Sequence, residues 1–245
     1  MKYLASLLLQ IVFVASIFGQ MRGRIVYEEK MDMHRRIPPE RAEMKDMIPQ
    51  FRTSNFELFF TDIASKYKAV PQTEEEITGS QGNAQFRMRM TPPRREVYKN
   101  LAEDKMVDER EFMTKMFLIK GKAAPFAWKI ADGQKKIMEY SCMQAMYQDS
   151  ATSYVAWFTP QIPISNGPAE FGGLPGMIVQ VDINNGERVL TAIQVVDEEV
   201  DSELLQEPSK GKEVTQEEFR EIMHEKMKEM ETMHGGGPSV IIRHN

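Results

Sequence analysis

Trp157-Phe158-Thr159-Pro160-Gln161-Ile162-Pro163-Ile164-Ser165-Asn166-Gly167-Pro168, continuing to Gly172-Gly173-Leu174-Pro175-Gly176-Met177-Ile178, decides how this chain folds. An apolar run enters it, and another leaves it at Ile178-Val179-Gln180-Val181-Asp182-Ile183. Between them stand three turn signals. Asn166-Gly167 tolerates positive φ, Pro168 fixes its own φ, and Pro175-Gly176 suits a type II turn with Gly176 at positive φ. A loop so rich in Gly and Pro has few accessible shapes. Its one ionisable side chain is Glu170. Two roles fit it: a rigid corner between strands, which its turn residues favour, or a surface that offers its backbone and Phe171 to a partner.

Working outward, short segments of strand character recur at about ten-residue spacing. Residues 24–31 read as a first strand, and 55–61 with 64–70 as a strand pair. Gln85-Phe86-Arg87-Met88-Arg89-Met90 and Glu96-Val97-Tyr98-Lys99-Asn100-Leu101 alternate as half-buried strands do. Lys105–Glu109, Glu111–Lys120, Phe126–Ile130, Ile137–Ala145, Tyr154–Thr159, Ile178–Asp182 and Val189–Val196 follow. Asp132-Gly133 reads as a turn, and Asn184-Asn185-Gly186 is a strong hairpin signal. Residues 71–84, with Glu74-Glu75-Glu76, read as a flexible loop, and residues 40–47 as a short helix between prolines. The fold class expected is mainly β (α+β): one domain with a large curved antiparallel sheet over residues 20–200. An acidic linker, a Met-rich amphipathic helix and a tail occupy 201–245. Thr215 and Glu218 have capping-box spacing, and Gly235-Gly236-Gly237 stops the helix.

The quoted stretch resembles the GLPGLI family of exported Bacteroidota proteins. Gly173, Leu174, Pro175, Gly176, Met177 and Ile178 match the hexapeptide for which that family is named, with Met in place of its second Leu. Trp128-Lys129-Ile130, Glu139-Tyr140-Ser141-Cys142-Met143-Gln144-Ala145 and Ala156-Trp157-Phe158-Thr159 are similar too. The resemblance implies an exported β-rich protein of unsettled biochemical role, with outer-membrane transport or signalling components as candidate partners. It implies no catalytic residues.

The N-terminus agrees with export. Lys2 and the apolar run Tyr3–Phe18 form the n- and h-regions of a signal peptide, residues 1–19, too short to span a bilayer. Nothing later reads as a transmembrane segment, so the expected location is periplasmic or extracellular. The formal charge of −5, with basic residues scattered apart from pairs such as Arg35-Arg36 and Arg94-Arg95, argues against a nucleic-acid surface. Those pairs read as solvated.

Catalysis is poorly supported. The sequence carries no G-x-S-x-G, HExxH, P-loop or dinucleotide fingerprint. The lone Cys142 sits among apolar residues and reads as a buried, inert thiol. His34, His224, His234 and His244 lie near the chain ends. A hydrolase would need a site that no motif marks. The methionines, 19 against 13 phenylalanines, are the odd feature. Met223, Met227, Met230 and His234 share a helix face with Phe219. Thioethers with imidazole suit soft copper(I), whereas a face that packs on the sheet uses Met as core filler. The leading expectation is therefore a non-enzymatic envelope protein that binds a ligand or partner on its curved sheet. Copper handling by the tail and a hydrolase with an unmarked site are the alternatives.

Overall fold

The computed structural model describes residues 21–71, 75–81, 84–90 and 94–233. The expected signal peptide, His234, the Gly235–Gly237 stop and His244 lie outside these residues. The strands are β1 (Gly23–Asp32), β2 (Phe51–Phe60), β3 (Ala64–Ala69), β4 (Glu75–Gln81), β5 (Ala84–Met90), β6 (Arg95–Asn100) and β7 (Lys105–Phe112). They continue as β8 (Lys115–Gly121), β9 (Lys129–Ile137), β10 (Tyr140–Gln148), β11 (Ser153–Thr159), β12 (Met177–Ile183), β13 (Arg188–Val196) and β14 (Lys212–Thr215), with helix α1 (Gln216–Met233) after them. Twelve strands make one sheet in the order β14-β8-β7-β6-β3-β2-β1-β13-β12-β11-β10-β9. β4 and β5 form a separate hairpin.

The order is two meanders joined at the first strand. β1 pairs with β2 on one side and with β13 on the other, so Arg24 faces both Phe59 and Val196. Every pairing in the large sheet is antiparallel except that of β14 with β8, which makes the sheet mixed. β9 and β14 are its two ends, and the sheet is not closed. Among the described residues, no helix is long and apolar enough to cross a membrane.

One face of this single layer must be covered, because alternation directs half of each strand's side chains to it. Ile25 and Tyr27 of β1, Leu58 of β2, Tyr67 of β3 and Val97 of β6 are buried there. The cover is the quoted loop itself, which sends Ile162, Ile164, Ala169, Phe171 and Leu174 into the core. It leaves β11 yet reaches Lys99 of β6, with β13, β1, β2 and β3 lying between β12 and β6. The sheet therefore curves around the loop. At the far end α1 does the same work. Phe219 is buried against Phe112 and Phe117, its ring centroid 6.0 and 5.3 Å from theirs. The expected capping box starts α1: the Glu218 amide donates to Thr215 Oγ1 at 3.2 Å, and the Thr215 amide donates to Glu218 Oε2 at 2.7 Å.

Several local expectations are corrected. Residues 75–81, expected as loop, are β4. The Glu run masks a segment containing Ile77 and Thr78, and Gly82-Asn83, which follows in sequence, is a dipeptide that hairpins favour. Asp132-Gly133 is no turn but lies inside β9, where pairing jumps from Gln134–Met143 to Ala131–Gln144. The extra residues form a bulge, and a Cβ on Gly133 would lie 2.2 Å from Gln144 Oε1. The chain turns instead at Met138, with φ of 52°. The expected helix at 40–47 is a 3-10 helix, Pro39–Asp46. The acidic linker is anchored: Arg24 pairs with Glu198 and Lys105 with Glu207, and the segment then enters β14. Asn184, Asn185 and Gly186 do take positive φ between β12 and β13.

The Gly/Pro loop is rigid for reasons partly other than those expected. Neither Asn166 nor Gly167 takes positive φ; Ala169, Gly173 and Gly176 do. Gly176 is at +145°, but the turn is not type II. Its amide donates to Leu174 O, a three-residue closure, while the Met177 amide donates to Ile162 O. A Cβ on Gly176 would stand 2.2 Å from Thr159 O. Gly176→Val is thus expected to destabilise by about 3 kcal/mol, from strain plus backbone displacement. A urea melt checks this, and an unchanged midpoint would show that the loop relaxes freely.

Candidate functional site

The sequence of β6 places two cations inward. Arg95, Val97 and Lys99 alternate onto the core face, and the loop comes down on them. Arg95 donates from Nε to both oxygens of Asp108 at 3.1 Å, and from Nη2 to Asp108 Oδ2 at 2.7 Å and Glu170 Oε2 at 2.8 Å. Asp108, on β7, also accepts from Arg110 Nη2. On the other side of the face, Arg188 of β13 donates to Glu29 of β1 at 2.6 Å. Three arginines and three carboxylates thus form a charge-balanced seam where the loop meets the sheet.

Lys99 is 1% exposed. Its Nζ donates to Asn166 Oδ1 at 3.1 Å, Gly167 O at 3.0 Å and Phe171 O. It therefore ties together both ends of the 166–171 segment. Tyr27 OH donates to Ile178 O at 2.6 Å and Trp128 Nε1 to Gly172 O at 2.8 Å, extending the grip on the loop. Phe171 is fully buried in a ring cluster with Phe126, Trp128 and Tyr154. It is not offered to a partner.

The electrostatics follow from this geometry. Burial pushes the Glu170 carboxyl up, but Arg95 and Arg188 outweigh it and hold it at about 2. Burial pushes the Lys99 ammonium down to about 7, with Glu170 opposing and Arg95 adding to the effect. Burial likewise drives the Tyr67 hydroxyl well above the ordinary range, and Glu29 adds to it. Tyr67 OH, Arg110 Nε and Arg188 Nε are buried without a hydrogen-bond partner among the described residues. They are donors left over along the seam.

The residues singled out from sequence are dispersed. Gly173, Leu174, Pro175, Gly176, Met177 and Ile178 form the end of the loop and the start of β12, with Leu174, Met177 and Ile178 buried. On α1, Met223 packs with Ile222 against the Phe117–Phe219 cluster, whereas Met227 is 55% exposed. Met223 thus faces the core and Met227 solvent, and His234 lies outside the described residues. Among those residues no group of three His, Cys, Asp or Glu could hold a metal ion. Cys142 is buried, with Sγ 3.4 Å from Tyr140 O, and burial pushes its thiol up. A cleft of about 380 Å³ lies between Phe60, Tyr140, Ile162 and Val195, away from the seam.

Sequence reasoning missed the seam. Arg94-Arg95 was expected to be solvated. Arg94 is, but Arg95 is half-buried in two ion pairs. The available signal was the lone acid of an apolar loop, Glu170, which needs a buried cation to meet it.

The family model described as "Protein of unknown function (Porph_ging)" matches residues 149–180, which run from the β10–β11 turn through the loop into β12. No curated protein matches the chain. Among solved structures, the chain is similar to "Structure of PNGF-II in P21 space group", with TM-score 0.54 and 11% identity over 83% of this chain and 33% of that one. It is also similar to "Structure of PNGF-II in C2 space group", with TM-score 0.53 and 12% identity over 84% of this chain and 33% of that one. At such identity the likeness shows the fold alone. The chain spans about a third of the length of these matched proteins.

Glu170 gives a pH prediction. Its carboxyl is depressed from the ordinary 4.5 to about 2, so its stabilisation is present above pH 4.5 and lost as pH falls toward 2. Glu170→Gln is expected to cost about 2 kcal/mol at neutral pH, less than a fully buried pair because the side chain keeps 29% exposure. It should also flatten the acid limb of a stability–pH curve. Parallel curves for the two proteins below pH 4.5 would remove Glu170 from the acid transition.

Proposed function

We propose that this chain is an exported, non-enzymatic binding protein of the cell envelope that receives a polar ligand or partner group at the charged seam on its curved sheet. The observation that carries this reading is the set of leftover donors. Among the described residues, Tyr67 OH, at 2% exposure, Arg110 Nε and Arg188 Nε have no acceptor, and an unpaired buried donor costs about 1–3 kcal/mol. A bound molecule with acceptor oxygens would recover that cost. Among the charged groups of the seam, each cation already has a carboxylate, which supports binding over acid–base chemistry. The leader read at residues 1–19 and the resemblance of residues 173–178 to the GLPGLI family support the envelope address. The same resemblance supports a partner in outer-membrane transport or signalling.

Native mass spectrometry of the protein isolated from its own envelope is the test. A bound species is expected that Tyr67→Phe, which deletes only the hydroxyl, weakens about tenfold, the equivalent of one hydrogen bond. Wild-type protein that carries nothing, or a ligand held equally by the variant, would sink the reading.

A second reading rests on Met227, whose thioether faces solvent. Met223, Met227, Met230 and His234 would then hold copper(I) as soft donors. Because Met223 packs inward, bathocuproine competition is expected to find the same weak copper(I) binding in wild type and in the Met223/Met227/Met230→Leu triple variant. Tight binding that the triple variant loses would establish the metal reading instead.

A further inference from the structure

Lys99 and Asn166 meet in the core, and the binding seam makes no use of their chemistry. Lys99 is 1% exposed and Asn166 fully buried. Lys99 Nζ lies 3.1 Å from Asn166 Oδ1, which also accepts from the Gly167 amide at 2.8 Å. The other end of the same carboxamide, Nδ2, is buried without a partner among the described residues. Its orientation is fixed by these neighbours, because a flipped amide would set its NH2 against two donors.

We propose that Lys99 and Asn166 join covalently through an isopeptide bond, Nζ attacking the side-chain carbonyl carbon of Asn166 and ammonia leaving. The Nζ–Cγ bond forms and the Cγ–Nδ2 bond breaks. A proton passes from Nζ to Nδ2, which departs as ammonia. A neutral amine and a primary amide give a secondary amide and ammonia, so atoms and charge balance with no oxidant or co-reactant.

The attacking amine, the oxyanion and the product N–H each find their setting in the structure. An amine attacks as its free base, and burial brings the Lys99 ammonium down to about 7, so that form is well populated near neutrality. Negative charge gathers on Oδ1 in the tetrahedral intermediate, and the Gly167 N–H already points at that oxygen. The leaving nitrogen is the one that holds no hydrogen bond among the described residues. The product keeps one N–H, for which Gly167 O and Phe171 O are the acceptors in place. It also removes two liabilities, a buried cation with no carboxylate bonded to it and an orphaned NH2. The bond would close a loop between residues 67 apart, pinning the cover to β6 in a chain whose lone cysteine allows no internal disulfide.

Denaturing mass spectrometry and fragment sequencing of the purified full chain test this. The wild type is expected to be lighter than its sequence by one ammonia, with the peptide carrying Lys99 joined to the peptide carrying Asn166. Lys99→Arg is expected to show neither. Asn166-Gly167 can also lose ammonia by closing on its own backbone to a succinimide. Hydroxylamine opens that product but leaves an isopeptide intact, and the succinimide survives in Lys99→Arg. Wild-type chain of unaltered mass, or an ammonia loss that hydroxylamine reverses or that Lys99→Arg retains, would overturn the proposal. The wild-type measurement decides even where the variant misfolds.

Discussion

The contact on which this structure depends is that of Lys99 with the oxygens of Asn166, Gly167 and Phe171. An open sheet of twelve strands has one apolar face to bury, and the separate β4–β5 hairpin is too small to cover it. The chain solves this with a loop. A loop is a poor core element, since its backbone polar groups bond to no ladder. Lys99 supplies up to three donors where they are needed, and Tyr27 OH and Trp128 Nε1 satisfy Ile178 O and Gly172 O nearby. With those carbonyls satisfied, Ile162, Ile164, Phe171 and Leu174 can be buried as they would be on a helix or strand.

Such a device selects a shape more than it adds stability. Burying Lys99 and half-burying Arg95 carries a desolvation penalty that ion pairs offset only in part. A hydrophobic loop without them could bury as much area in many arrangements. Glu170 on Arg95, and Arg95 in turn on Asp108, admit one arrangement. The strong turn residues work in the same direction: Gly176 passes within van der Waals range of Thr159 O, where no side chain fits.

The strands were legible because alternation is a local property, and the capping box of α1 because its partners are three residues apart. Three things were not legible. Asp132-Gly133 has the chemistry of a turn, but a bulge uses the same residues for the same reason, close backbone approach. β14 pairs in parallel with β8 across some ninety residues of chain, and its four residues carry no periodicity. The seam was hidden for a subtler reason. In β6 the inward set is Arg95, Val97 and Lys99, and the outward set contains Tyr98. Hydropathy therefore does not say which side of this strand faces the core. Glu170 lies 75 positions from Arg95, and only the folded sheet brings them together.

The seam is not uniform along its length, and the difference bears on the binding role proposed for it. Arg95 spends Nε and Nη2 on Asp108 and Glu170. Moving any of these groups would loosen the loop, so this end is closed to a ligand by the fold itself. Among the described residues Arg188 bonds to Glu29 alone, its Nε and the Tyr67 hydroxyl have no partner, and Arg188 and Glu29 both act on that hydroxyl. The Nε and the hydroxyl are donors at a place where Glu29 already supplies a carboxylate. A cation would compete with Arg188 for Glu29 and leave those donors still unpaired. A neutral group rich in acceptor oxygens would satisfy them without disturbing the pair. An added carboxylate would gain from Arg188 but face Glu29. On the proposal that the seam binds a ligand, its leftover donors would suit neutral oxygen acceptors better than ions of either sign.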